Sequence, residues 1–346
     1  MRKLIMIVII IACFSVPVSA MEFTPPEAPA SAEKYMPDNT ESFGEGVWKI
    51  IKAAVGQLQP SIAEAAGTCL SIIAVVLLVS MLQGASDGSR QVVELVGTLT
   101  LGMLLLRPTN SLIQFGIETV QELSEYGKLL LPIMTAAMAA QGATASSSAL
   151  YAGTAFFNAI LSTGIVKLIV PMIYIFLCLA VANSAIGQEL LKNLQSFMKW
   201  LITWCLKISV YLFTGFLGVT GVLSGTADAA AIKAAKLAMS GFIPVVGSMI
   251  SDASETVLIS AGILKNSAGI YGLLAILSVW IGPFLQIGVQ YLLLKLTSAV
   301  CGVFGCKSSI NLIQDFSVAM GFLLAMTSSV CLLLLLSTVC FMKGVT

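Results

Sequence analysis

The sequence predicts an all-α fold, that of a polytopic helical membrane protein. Of its 346 residues, 58% are hydrophobic and only 10% are charged, and the mean hydropathy is +0.97. A soluble domain carries about 25% charged residues. The apolar residues gather in runs that suit membrane-spanning helices, which satisfy their own backbone hydrogen bonds in lipid. We expect about seven transmembrane helices, together with amphipathic interfacial helices and one re-entrant or interfacial segment.

Composition also argues against several functional classes. The chain contains no histidine, which excludes a histidine base, a Ser-His-Asp triad and histidine metal ligands. Its net charge of +1 gives no electrostatic footprint for nucleic acid. The eight cysteines form no CxxC pair and mostly lie in or beside apolar runs, where cysteine packs as a small hydrophobic residue. We therefore expect no cofactor, no metal site, no nucleic-acid partner and no catalytic residue.

Residues 1–20 have the pattern of a secretory signal peptide. Arg2 and Lys3 precede an apolar core, and small residues up to Ala20 suit a cleavage site. Two alternatives are an uncleaved anchor and a lipoprotein-like box that ends at Cys13. Residues 21–65 are predicted to form a short extracytoplasmic tether followed by a surface helix.

This surface helix is predicted over 47–65, after a stretch rich in proline, alanine and glutamate at 22–39. Trp48 would anchor it at the membrane interface. Residues 66–346 are predicted to form one polytopic membrane domain. The candidate spans are 67–83, 92–106, 149–166, 168–186, 208–223, 270–294 and 316–341.

The third and fourth of these runs meet at Lys167 without a loop, and Pro171 follows the junction. They are either one long kinked helix or two spans with a very tight turn. The single polar residues Asn158 and Asn183 are expected to form hydrogen bonds between helices.

Two further segments are amphipathic. In 110–128 apolar residues recur at helical spacing and glutamates and glutamines occupy the other face, which predicts a helix on the surface or against a partner rather than a span. The short apolar run 129–140 follows it. A second amphipathic helix is predicted over 187–207, and its three lysines favour a cytoplasmic position.

The stretch 241–272 carries charges within an otherwise apolar part of the chain. Pro244 and Gly247 would break an entering helix, and Asp252 could cap a new helix with Glu255 in the capping-box position. That helix would be too short to span a bilayer, which is typical of a re-entrant element or of an interfacial helix with solvated charges. The candidate pore-lining or subunit-contact residues are Asp252, Glu255, Lys265 and Asn266, and the candidate helix breaks are Pro244, Gly247 and Pro283.

The same stretch carries a family resemblance. The motif GFIPVVG at 241–247, the segments DA at 252–253 and ETV at 255–257, and LKN at 264–266 followed by Gly269 resemble the stage III sporulation protein AE family. The signal sequence, the short N-terminal segment and the apolar remainder also resemble that family. The resemblance implies a polytopic subunit in the mother-cell-derived membrane around the forespore, within a secretion-like channel. The implied partners are a cytoplasmic ATPase, ring-forming and small membrane proteins and a forespore-side protein, besides the lipid bilayer.

Two other functions fit the residues less well. A stand-alone secondary transporter or permease would explain broken helices that carry charged residues. An intramembrane enzyme would have the paired carboxylates Asp252 and Glu255, but the sequence shows neither a nucleophile motif nor a metal-ligand set. A Walker sequence is also missing, so ATP hydrolysis would come from another protein.

Overall fold

The computed structural model describes residues 26–37, 42–85, 90–140, 144–219, 267–304 and 307–343. These residues are almost entirely helical and contain no strand, which confirms the all-α prediction. The helices are α1 (Ala30–Glu33), α2 (Phe43–Gly56), α3 (Leu58–Ala85), α4 (Arg90–Ala140), α5 (Thr144–Gly164), α6 (Val170–Ile186), α7 (Glu189–Val219), α8 (Ser267–Cys301) and α9 (Lys307–Lys343). A π-helical turn (Ile165–Ile169) joins α5 to α6, and a 3₁₀ turn (Gly302–Phe304) follows α8.

Helix α9 forms the centre of the bundle. Its most apolar stretch is 94% buried, whereas the corresponding stretches of the other long helices are 28% to 61% buried. It packs against α4, α5, α6, α7 and α8. A helix that is apolar on all sides is expected to be enclosed by protein or lipid, and here protein encloses it.

The helix directions follow from close contacts. Gly116 and Gly127 of α4 lie beside Met326 and Leu334 of α9, so these two helices run parallel. Helix α8 runs antiparallel to α9, because Gly269 lies against Met342 near one end of the pair and Tyr291 contacts Gly321 further along.

Helix α4 corrects the prediction for 110–128. The structure merges 92–106, 110–128 and 129–140 into one helix of 51 residues that contains Pro108 and Pro132. The apolar face of its middle part is fully buried in the bundle core at Ile113, Val120 and Leu123. The predicted separate surface helix is therefore wrong, and its polar face is one side of a bundle helix.

Lys167 lies inside a continuous helical segment from α5 to α6. Proline lacks an N–H and its ring crowds the carbonyl four residues earlier, so the wider π turn just before Pro171 accommodates it. This selects the single kinked helix over two spans. Within the described residues, six helices are long and apolar enough to cross a membrane, one fewer than the seven predicted.

The amphipathic segment 187–207 also continues into the next span. Gly187, with φ of +72°, ends α6 in the left-handed conformation that glycine adopts without strain, and its N–H bonds to the Asn183 carbonyl. Helix α7 then runs unbroken from Glu189 to Val219, so the amphipathic part is the first half of a longer helix.

The N-terminal segment packs more closely than a tether would. Residues 26–37 contain the helical turn α1 and lie against α8, where Ala32 is fully buried. Helix α2 begins at the Ser42 cap, whose hydroxyl accepts the Glu45 N–H, and ends at Gly56 rather than near 65. Trp48 is 67% exposed, and its role as an interfacial anchor stays a prediction.

Candidate functional site

Most of the predicted site lies outside the described residues. This applies to Pro244, Gly247, Asp252, Glu255 and the pair Lys265 and Asn266, and also to the signal sequence at 1–20. These assignments stay predictions. Pro283 is described, and it lies buried in the middle of α8 without ending that helix.

A cavity of about 650 Å³ opens beside Pro283. Three carboxylates of α4 line one side of it, namely Glu118, Glu122 and Glu125. Glu118 and Glu125 are exposed and Glu122 is half-buried. The spacing of four and three residues places the three carboxylates on one face of the helix. The remaining lining comes from further residues of α4, from α8 and from the N-terminal segment, at Ser31, Lys34, Tyr35, Phe115, Thr119, Gln121, Val279, Gly282, Pro283 and Gln286.

The N-terminal segment holds its position through polar and close apolar contacts. The Ser31 hydroxyl donates to a Glu122 carboxylate oxygen at 2.7 Å. The Ala28 N–H donates to the Tyr271 hydroxyl at 3.3 Å, and the Tyr35 ring lies against Gly282, where a Cβ would be 3.0 Å from the ring. Burial raises the pKa of the Tyr35 phenol, so this residue stays neutral. Residues 26–37 therefore form one wall of the cavity.

The cavity lies near the middle of the bundle, measured along the helix axes. Gly116 lies beside Met326 and Gly127 beside Leu334, so the α4 carboxylates sit near the midpoint of the apolar run at 316–341. Pro283 is likewise close to the midpoint of the apolar run at 270–294. A charge at the centre of a lipid bilayer costs about 2.5–3.5 kcal/mol on insertion scales. Such carboxylates are stable facing water in a cavity or another subunit, and they suit cation or solute contact.

From the sequence, these glutamates were predicted only to form the polar face of a surface helix. The sequence carries one signal for them: no loop residue separates the polar face at 110–128 from the apolar run at 129–140. The predicted hydrogen bonds of the two asparagines are confirmed. The Asn158 amide donates to the Ser124 carbonyl at 3.3 Å, and the Asn183 amide donates to Gln195 Oε1 at 3.2 Å.

The sequence model of the family described as stage III sporulation protein AE matches residues 31–344. The chain belongs to this family. It is 23% identical to stage III sporulation protein AE of Bacillus subtilis (strain 168) over 273 residues, which cover 78% of this chain and 68% of the relative. No solved structure matches the chain.

Membership of the AE family, taken with six long apolar helices, makes this chain a multi-pass membrane protein of a sporulation family. The match includes α4, α8 and α9, so the acidic cavity lies within the part of the chain that the family model describes. Its first matched residue is Ser31, whose hydroxyl holds the cavity wall to Glu122.

Proposed function

We propose that this chain is a membrane-embedded subunit of a multiprotein, secretion-like channel between mother cell and forespore, needed for forespore development. The observation that carries the proposal is the family match over residues 31–344. The chain would lie in the mother-cell-derived membrane around the forespore. Its partners would be a cytoplasmic ATPase, ring-forming and small membrane proteins and a forespore-side protein.

The bundle supports a subunit role for this chain. Helix α9 fills the centre of the described part of the molecule. A conduit for solutes would therefore run along the acidic cavity or between subunits. Several helices also present large exposed apolar side chains, such as Leu70 and Met81 of α3 and Met103 of α4, which suit lipid or neighbouring subunits.

Asp252, Glu255, Lys265 and Asn266 remain our candidates for a pore-lining or subunit-contact face. A role as a helix cap alone would make Asp252→Asn nearly neutral, because asparagine caps a helix as well as aspartate does. A charge-dependent role would make the same substitution harmful.

A stand-alone secondary transporter is the second candidate. One observation favours it: the acidic cavity beside Pro283 lies midway along the long helices, where transporters often place substrate sites. In that case the cavity carboxylates would bind the transported cation or amine.

Affinity purification from sporulating cells in mild detergent separates the two functions. The proposal predicts that other channel proteins copurify with the tagged chain after chemical cross-linking, and that vegetative membranes carrying the same tagged chain yield none of them. A monodisperse chain that moves a substrate alone in liposomes would contradict the proposal and favour the transporter.

A further inference from the structure

A second cavity lies at the end of the bundle where α7 and α9 begin. Its volume is about 380 Å³, within the range of small-ligand sites. The last residues of α6 and the first turns of α7 and α9 form its walls. Lys192 and Lys199 of α7 and Asp315 of α9 are its charged lining residues. Two cations against one carboxylate leave the lining with one excess positive charge.

The polar groups of this cavity are partly organised already. Gln195 is 7% exposed, accepts the Asn183 amide and also hydrogen-bonds Asp315, which has Lys199 nearby. Ser184 also lines the cavity and is 7% exposed, yet its hydroxyl has no hydrogen-bond partner among the residues that the structure describes. A buried hydroxyl without a partner costs about 1–3 kcal/mol, so a ligand that bonds to it would recover that free energy.

The charges around the cavity limit the kind of ligand that it can bind. Glu189, at the rim, is 3.6 Å from Lys192, but both side chains are largely exposed, so the pair is weak. Glu94 accepts the Ser308 hydroxyl, so a second carboxylate adjoins the lining on that side and that hydroxyl is already engaged. The helix N-termini of α7 and α9 add partial positive charge on the same side. A phosphate placed between Lys192 and Lys199 suits these two lysines and the two helix N-termini, and a hydroxyl on the same ligand can donate to Asp315.

Exposed aromatic residues of α7 indicate the level of the cavity relative to the membrane. Phe197, Trp200 and Trp204 of α7 stack in sequence, with ring centroids 6.0 and 6.1 Å apart, and each is 49% to 56% exposed. Exposed tryptophans of membrane helices concentrate at the lipid–water interface. Lys199 and Trp200 are neighbours in sequence, so the cavity opens close to that level. Lysines near helix ends reach headgroups there.

We propose that this cavity binds the phosphoglycerol headgroup of an anionic membrane phospholipid. Lys192 and Lys199 hold the phosphate, Ser184 donates to it, and Asp315 accepts from a glycerol hydroxyl. The acyl chains leave the cavity near the level of Trp200 and extend into the lipid.

Native mass spectrometry of the full chain in detergent tests this assignment, with phosphatidylglycerol and phosphatidylcholine as the probes. We expect phosphatidylglycerol to bind preferentially. Lys192→Gln and Lys199→Gln should each weaken its binding about tenfold, which corresponds to loss of one charge-assisted hydrogen bond. Lys207→Gln is the matched control, because it removes the same charge from the same helix outside the cavity and should leave binding unchanged.

Ser184→Ala gives a second test, whose expected result differs from that of a misfolded protein. Loss of an unpartnered buried hydroxyl should leave thermal stability equal or higher while phosphatidylglycerol binding falls. Equal binding of the two lipids, or equal losses in Lys207→Gln and Lys199→Gln, would overturn the proposal. Inorganic phosphate is the third probe: if it fills the site while phosphatidylglycerol shows no preference, the ligand is a soluble phosphate and the lipid assignment is wrong.

Discussion

Gly127 and Asn158 allow three helices to meet in the core. A Cβ at Gly127 would lie 2.6 Å from Leu334 Cδ2 of α9 and 3.2 Å from the Asn158 amide nitrogen of α5. The sequence predicted that Asn158 bonds across helices, which is confirmed. Its partner, the Ser124 carbonyl, is 34 residues away in sequence, and helical periodicity carries no information about such a pairing.

At Gly127 we predict that Gly127→Ala lowers the melting temperature of the purified protein. The added methyl must displace Leu334, which is 1% exposed, and overpacking of this kind costs about 1–3 kcal/mol. Gly215→Ala is the control, since a Cβ there meets nothing within 4 Å and alanine is the better helix former. Thermal unfolding of both variants in one detergent measures the difference; a Gly127→Ala protein as stable as the control would contradict the close approach.

Most apolar segments could be predicted from sequence, whereas several junctions could not. The division of 92–140 into a span, a surface helix and a short apolar run was wrong: Pro108 and Pro132 each remove one hydrogen bond, but a proline can kink a helix without ending it. The charged face of that segment shows which side is polar but not what lies opposite it. The docking of residues 26–37 was also missed, because a short polar stretch gives no periodic signal for its contacts.

For the N-terminal segment we predict a disulfide between Met36→Cys and Ser278→Cys in a variant whose native cysteines are replaced by alanine. The side-chain atoms Met36 Sδ and Ser278 Oγ are 3.7 Å apart, which places the two side chains in contact; a cysteine sulfur at position 36 is one bond nearer the backbone than Sδ, so an added oxidant is used to capture the pair. The control pair, Met36→Cys with Gly288→Cys, is displaced by ten residues or about 15 Å along α8 and should stay reduced. Gel mobility without reductant reports the result, and equal cross-linking of both pairs would show that the segment is a loose tether.

At the scale of the whole molecule, a buried α9 and an acidic cavity beside Pro283 distinguish this chain from a simple set of lipid-facing spans. Sequence reasoning reached the all-α membrane fold and the family, because both depend on composition and on a local motif. It missed Glu118, Glu122 and Glu125 as cavity residues, since that role depends on the packing of α1, α4 and α8 together. The functional role of the motif residues Asp252 and Glu255 also remains a prediction.

The most direct test measures forespore gene activity after engulfment in a strain that lacks this gene, complemented by defined variants. We predict that the wild-type gene restores activity and that the triple variant Glu118→Gln, Glu122→Gln, Glu125→Gln does not, although membrane immunoblots show normal protein level. Glutamine keeps the shape of glutamate and removes its charge. Lys128→Gln, on the same helix outside the cavity lining, is the control and should restore activity.

Asp252→Asn and Glu255→Gln belong in the same series, and each should reduce activity if its charge lines the path. Forespore gene activity at the wild-type level in the triple variant and in both motif variants would exclude a role of these carboxylates in the function. Normal forespore development in the strain without the gene would contradict the proposed function itself.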